Sequence, residues 1–530
     1  MFLRCLAFSR KDGSQRKYLQ IVQTYREKGR VRQKIVANLG RLDELIVSGT
    51  LEKLSDALSR YVEKKELLCK AEELMATSAL SFGPVPIFTS LWKKLGLPEA
   101  IESATKRETA TYDPAPVIFR MVLGRLLDPS SKLSTHRWAE TIWWDDGAVV
   151  KLEHYYRSLG ILARSIKKIE EHLYYRERDL FTPAPDLLFF DTTSTYFTGA
   201  GPMTEMACHG FSKDNHPENK QVMVGVVMTR EGTPLAHHVF PGNTPDAAAF
   251  SEVIEELSTR FGIKRVIVVG DRGMFNAKVI ARIEELKLEY VAGVKMRQDW
   301  DVKEIVLENK SPFEAVAENL KVKLVELGEE RYIVCLNEEE AKRDQAVREE
   351  IVSELREKIA KGPRKMIGNT GYRRYLSVDK DAVQINEKKI ASEKKFDGIY
   401  VLRTNTDLSA KEAALAYKGL WQVERAFREI KTTFEIRPVY LSREDRIKGH
   451  IAVCFLAFCL QVAFLRIVRG EEKLKELSAR SMLQDLSEVR MVHLKAGEAE
   501  YRIRTELSPA ANAIFQAAEV PVPRRVNPVH

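Results

Sequence analysis

The sequence is poor in the features that mark several specialised protein classes. It has six cysteines, Cys5, Cys69, Cys208, Cys335, Cys454 and Cys459, and no two form a C-x-x-C pair. Thiols this sparse exclude a disulfide scaffold and a zinc ribbon, and they fit a reducing compartment. Cys208, His209 and His216 lack a fourth ligand at zinc spacing. Glycine (28) and proline (20) stand at ordinary levels, so the chain is not fibrous. No internal repeat or low-complexity tract interrupts it. The opening MFLRCLAFSRKDG has no apolar core long enough for a signal peptide. The most apolar run, Ile451–Ile467, contains Gln461 and Arg466 and falls short of the roughly 20 residues of a membrane span. It reads as a buried helix, and no membrane partner is expected.

What is present is a long chain with an uneven charge. At about 100–200 residues per domain, 530 residues make three or four domains. A hydrophobic content of 44% is enough to build cores and excludes wholesale disorder. Lys and Arg number 84 against 75 acids, a net charge of +9. Residues 1–41 alone hold eleven Lys or Arg and only two acids, Asp12 and Glu27. The excess therefore lies wholly in that head, and the remainder is neutral. A basic head on a neutral body points to a polyanion partner.

The pattern divides the chain. Residues 1–41 read as a small basic β-rich unit, with YLQIVQTY and VRQKIVANLG alternating about a KGR turn. Residues 42–182 read as helical. Short helices broken at Gly96–Pro98 and at DPSS are compatible with helix-turn-helix units or with a plain bundle. Residues 183–297 alternate strands and helices, the mark of a mixed α/β sheet. Residues 298–395 form a β-rich insertion, with a hairpin turning at Gly328 and a charged helix from about Glu338 to Lys361. The α/β pattern resumes over 396–470, including a helix Ala410–Phe434, and a tail region runs over 471–530.

Two isolated acids each close an apolar run. Asp191 follows Leu187–Phe190, and Asp271 follows Val266–Gly270. Strand ends can bring carboxylates together to hold two Mg²⁺ ions for phosphodiester cleavage. The plain alternative is that each merely ends a strand. On the helix Ala410–Phe434, Tyr417, Leu420, Glu424 and Lys431 fall on one side, near Arg425, Phe427 and Arg428. A carboxylate and bases on a half-apolar stripe suit a place where metal and phosphate meet. The same spacing also suits a solvated edge with i,i+4 ion pairs. Asp186, Asp214, Asp246 and Asp397 are rival acids, with Asp246 after Pro245 in an N-cap position. Trp300 and Tyr372 in the insertion could stack on an unpaired base or simply pack.

These residues carry a resemblance. The chain resembles the bacterial insertion-sequence transposases of the DDE type, in the IS-four-like group with a Y-x2-R-x3-E-x6-K signature. Tyr417, Glu424 and Lys431 match that signature, and Leu420 stands where it has Arg. The acid order Asp191, Asp271, Glu424 also matches, as does the long gap before the third acid. The resemblance implies a multidomain α/β protein whose RNase H-like catalytic core is interrupted by the β-rich insertion. It implies that Asp191, Asp271 and Glu424 are catalytic and bind two Mg²⁺ ions, with Mn²⁺ able to substitute. It implies strand cleavage at the element's ends and strand transfer to target DNA, by a homodimer in the bacterial cytoplasm, associated with the nucleoid. Tyr417 and Lys431 would contact DNA, with Arg425 or Arg428 in place of the missing Arg. In the head, Arg16, Lys17, Lys28, Arg30 and Arg32 are the expected phosphate contacts. Two rival readings are an RNase H-like nuclease that does not join strands and a catalytically inactive DNA-binding regulator.

Overall fold

The computed structural model describes residues 2–9, 15–27, 30–59, 74–106, 108–177, 187–212, 216–261, 267–270, 273–361, 375–379, 382–497 and 499–528. Two units result. One comprises residues 1–79, 491–505 and 524–530, and the other residues 80–490 and 506–523.

The smaller unit is mainly β. Strands β1 (Phe2–Ser9), β2 (Gln15–Glu27) and β3 (Arg30–Arg41) form an antiparallel meander. Two register shifts between β2 and β3 mark bulges. A second sheet joins β4 (Leu74–Ser81) to three strands from the far end of the chain, named below.

The larger unit is built on one nine-stranded sheet. Its strands are β5 (Leu187–Tyr196), β6 (Gln221–Thr229), β7 (Pro234–Pro241), β8 (Ile267–Gly270), β9 (Glu289–Gly293), β10 (Glu314–Ala317), β11 (Leu320–Leu327), β12 (Glu330–Asn337) and β15 (Ile399–Thr404). Their order is β10-β11-β12-β15-β9-β8-β5-β6-β7. Only the central β5, β8 and β9 run parallel; every other pairing is antiparallel. The continuous apolar character of β6, β8 and the first four residues of β5 follows from cover on both faces. One face packs against the helices Asp246–Phe261 and Ala277–Glu285, through Leu188, Phe190, Phe250, Val253 and Ile283. The helices Ala410–Lys418 and Trp421–Arg428 contact β5, β6, β8, β9, β11 and β12.

The hairpin β11–β12 turns at Gly328, whose φ of +64° favours glycine. These strands fall within the segment read as an insertion. They nevertheless extend the main sheet, because β15 lies between β12 and β9. The later part of that segment has a small core of its own. The helix Glu338–Lys361, the hairpin β13 (Leu376–Asp379) and β14 (Ala382–Ile385), and the helix Glu387–Lys394 share a core at Leu355, Tyr375 and Leu376.

The helical region packs around Glu444–Val468, which is buried along most of its length. Its neighbours are the helices Leu152–Glu177, Pro114–Leu127 and Pro84–Lys94, and strand β7. Gly449 crosses so close to the Leu159 carbonyl that a Cβ there would collide with it. This helix is long and apolar enough to cross a membrane, but 72% of its most apolar window is buried inside the protein. A buried ion network ties Leu152–Glu177 to the sheet. Glu170, fully buried, meets His237 of β7 at 2.7 Å and Arg260 at 2.6 Å. The region after 470 is ordered into the helices Ala479–Ser487 and Pro509–Ala517 and the strands β16 (Arg490–Ala496), β17 (Ala499–Arg504) and β18 (Val526–Pro528). The last three complete the sheet begun by β4.

Candidate active site

Asp191 is the fifth residue of β5 and is half-buried between fully buried neighbours. The strand does not stop there, as the apolar run alone implies. Thr192–Tyr196 are largely β-branched and continue the ladder with β6 as far as Tyr196 opposite Gln221. Side chains alternate along a strand, so Phe189, Asp191 and Thr193 share one face. Leu188, Phe190 and Thr192 share the other, where the Phe190 ring meets Phe250 at 5.4 Å. The Asp191 carboxylate accepts the Thr192 N–H at 2.7 Å. It stands two residues beyond Phe189, which pairs with Val269 of β8. This is the carboxyl end of a parallel pair, where open α/β sheets form crevices. Asp271 lies outside the described residues.

The rival acids separate by their partners. Asp246 starts the Asp246–Phe261 helix and accepts a hydrogen bond from the Thr192 hydroxyl, on the face opposite Asp191. Asp397 is paired with Arg348. Asp186 and Asp214 lie outside the described residues. Among the described residues no three His, Cys, Asp or Glu side chains gather to hold a metal ion.

The expected single helix Ala410–Phe434 is three pieces. A capping box of Ser409 and Glu412 starts Ala410–Lys418, a second helix runs Trp421–Arg428, and a π-turn covers Glu429–Thr433. The glycine at the break has a packing cause. A Cβ at Gly419 would lie 2.5 Å from Cζ of Phe189, a ring only 1% exposed. Glycine there lets the helix pair sit directly on β5, on the face that carries Asp191. The π-turn carries Lys431, half-buried, and such turns recur at functional sites. Nothing in the 3.6-residue spacing signals it.

Tyr417, Leu420, Trp421 and Glu424 line one cavity of about 580 Å³, together with Asn337 and Tyr400. Glu424 is exposed, whereas Leu420 is buried. The Tyr417 ring stacks on Tyr400 with centroids 5.8 Å apart. Burial pushes the Tyr400 hydroxyl above its ordinary range. Arg425 faces elsewhere, into a second cavity of about 220 Å³ with Gln422, Glu429, Gln461 and Arg466. Arg428, exposed, stands one turn beyond Glu424 on the same side.

In the smaller unit, Lys17, Arg30 and Arg32 are exposed and Arg16 is half-buried. Arg30 and Arg32 alternate to one face of β3. Lys28 and Tyr372 lie outside the described residues. Trp300 is 67% exposed.

A family model described as a transposase DDE domain matches residues 182–460, more than half of the chain. The chain belongs to the DDE transposases. A second model, the N-terminal domain of IS1634 family transposases, matches residues 3–72 of this transposase and marks it as an insertion-sequence enzyme. No curated protein matches the transposase. Among solved structures it is similar to a piggyBac transposase synaptic complex with hairpin DNA, determined by cryo-EM. That likeness has 10% identity over 76% of this chain and 79% of the other, with a TM-score of 0.39.

Proposed function

We propose that the transposase binds the ends of an insertion sequence, nicks them, and joins the freed 3′-hydroxyl to target DNA, using an RNase H-like core. The observation that supports this reading is that the helix carrying Glu424 packs on the sheet face from which Asp191 projects. Asp191 projects from that face of β5, and the Gly419–Phe189 contact holds the Glu424 helix against the same face. The order β7-β6-β5-β8-β9, with antiparallel outer strands and a parallel centre, supports the RNase H-like assignment.

Asp191, Asp271 and Glu424 would hold two Mg²⁺ ions, since hard carboxylate oxygens suit that cation. Bound there, the ions would supply an activated water or 3′-hydroxyl and neutralise the leaving oxygen. Hydrogen bonding from the Thr192 N–H fixes the Asp191 carboxylate. Tyr417 and Lys431 would contact the DNA beside the cut, Lys431 as a point charge on phosphate. Leu420 packs inward, so Arg428 is the better substitute for the missing Arg; Arg425 lines another cavity. The β1–β3 head would track DNA phosphates through Arg16, Lys17, Lys28, Arg30 and Arg32. Synapsis of two ends would make the working form a homodimer.

The test is a strand-transfer assay with labelled element ends and Mg²⁺. Joined products support the reading. Hydrolysis products alone would reassign the protein as a nuclease that does not join strands.

A further inference from the structure

A cavity of about 290 Å³ lies apart from the acids, among the helix Lys132–Ala139, the segment 435–441 and the helix Glu444–Val468. Its lining includes Arg125, Lys132, Arg437 and His450. Arg125 and Lys132 are each 4% exposed and His450 is 6% exposed. The one carboxylate in the lining, Glu435, is itself exposed.

The buried basic groups are incompletely satisfied. Lys132 forms no hydrogen bond or ion pair with any described residue. Arg125 donates through Nη1 to the Phe434 carbonyl at 3.1 Å and through Nη2 to the Ser130 carbonyl at 2.7 Å. Its Nε has no partner. His450 Nε2 lies 3.3 Å from the Ile436 carbonyl, which assigns the ring proton to Nε2, and Nδ1 has no partner. A buried cation without a counter-charge is costly, and these lie side by side. Helix Lys132–Ala139 begins at the same wall, with Ser131 as its N-cap, and a helix N-terminus favours negative charge.

We propose that this cavity is a phosphate-binding subsite in which Lys132, Arg125 and His450 hold the oxyanion. Lys132 contributes a point charge, Arg125 a fixed fork, and His450 a second donor once Nδ1 takes up a proton. Arg437 stands at the wall, its guanidinium 5.9 Å from the centre of the Tyr196 ring. The groups that face Lys132 and His450 explain their present state. Burial, followed by the positive charge of Arg125, lowers the Lys132 amine to about 7. Burial, with Arg125 and Lys132 beside it, holds His450 well below 6.5. Cys454, fully buried on the same helix, stays a thiol. A bound oxyanion would reverse both shifts, so binding should draw in protons.

The site also touches the catalytic helix. Arg125 holds the carbonyl of Phe434, the residue that ends the π-turn carrying Lys431. The phosphate could be free or could end a DNA strand. Assigning it to a strand rests on the proposed function; the anion site does not.

The experiment titrates inorganic phosphate into the full-length protein against chloride at matched ionic strength, by calorimetry and thermal shift. Lys132→Met removes a buried unpaired charge and should keep the fold. Wild type should bind with proton uptake. Lys132→Met should bind roughly ten- to a hundredfold more weakly, the worth of one charged hydrogen bond. Arg437→Gln, at a half-buried position, should also weaken binding and does not depend on how the interior tolerates change. Absence of phosphate-specific binding in wild type, or wild-type affinity in both variants, overturns the proposal. Competition by a 5′-phosphorylated oligonucleotide, but not its 5′-hydroxyl form, would identify a strand end as the source. Equal failure of both would identify a free anion. Failure of strand transfer with phosphate binding intact would strike the proposed function alone.

Discussion

Gly419 rests against the ring of Phe189, closer than any side chain would allow. That contact sets how near the Glu424 helix lies to the strand of Asp191. Gly419→Ala should therefore destabilise the larger unit by about 1–3 kcal/mol through overpacking. It should also depress cleavage more than the stability loss explains. A second change, Phe189→Leu, should restore part of both. Urea denaturation and end-cleavage rates on the single and double variants check this. Unaltered cleavage in Gly419→Ala would contradict it.

Asp191→Asn, Asp271→Asn and Glu424→Gln keep side-chain size and remove charge. Each should lower cleavage by about 10³-fold or more, since metal-assisted charge stabilisation supplies several kcal/mol. DNA binding should remain near wild type. Gel-shift and single-turnover cleavage assays separate the two effects, and substantial cleavage by any one variant removes that residue from the site.

The head supplies a salt-dependence test. Replacing Arg16, Lys17, Arg30 and Arg32 together with Ala should flatten the plot of log affinity against log salt. Each lost phosphate contact should reduce the slope by roughly 0.9. An unchanged slope would mean that the β1–β3 sheet does not touch DNA.

The Glu170 network predicts a direction with pH. Burial alone would raise the Glu170 carboxyl, but His237 and Arg260 beside it hold it below 4.5. Burial lowers His238, next to this network, to about 4 from 6.5. Between pH 6.5 and 4 the unfolded chain takes up a His238 proton that the folded chain refuses. Glu170 adds stability above 4.5 that is lost as pH falls through its lower folded value. Both effects act in one direction, so the urea midpoint should fall from pH 7 to pH 4.5. Glu170→Gln should cost about 1–3 kcal/mol, because Arg260 loses its fully buried partner and keeps Glu171 and Glu256. A midpoint that is flat over this range would refute the assignment.

Lys132 acts in the same direction over an alkaline window. Its amine is near 7 when folded and 10.5 when unfolded, so the folded chain loses stability as pH drops from 10.5 toward 7. Lys132→Met should therefore be more stable than wild type near pH 7, with the gap closing by about pH 10. Thermal unfolding at the two pH values measures it, and a constant gap would contradict it.

Local pattern was readable from the sequence where local chemistry decides it. The alternation in β2 and β3, the Gly328 hairpin and the charged helix Glu338–Lys361 all follow from nearby residues. Tyr417, Leu420 and Glu424 share a cavity as helical spacing implies, even across the break at Gly419. The need for glycine at 419 was not readable, because the ring it meets lies 230 residues earlier in the chain. Nor was the outward extension of the sheet through β10–β12, since β15 must first be placed beside β9. Strand β5 looked finished at Asp191 because its continuation is polar, and only the ladder with β6 reveals it.

The apolar helix Glu444–Val468 has a consequence for how the protein is made. The helices Pro114–Leu127 and Leu152–Glu177 bury their apolar faces against it. During synthesis those faces wait for roughly 300 further residues, at about 5–20 residues per second, or tens of seconds. Through that interval a nascent chain exposes the surface on which the finished bundle depends. Any product truncated before residue 444 keeps that surface open for good, and should be a substrate for chaperones and proteases rather than a working fragment.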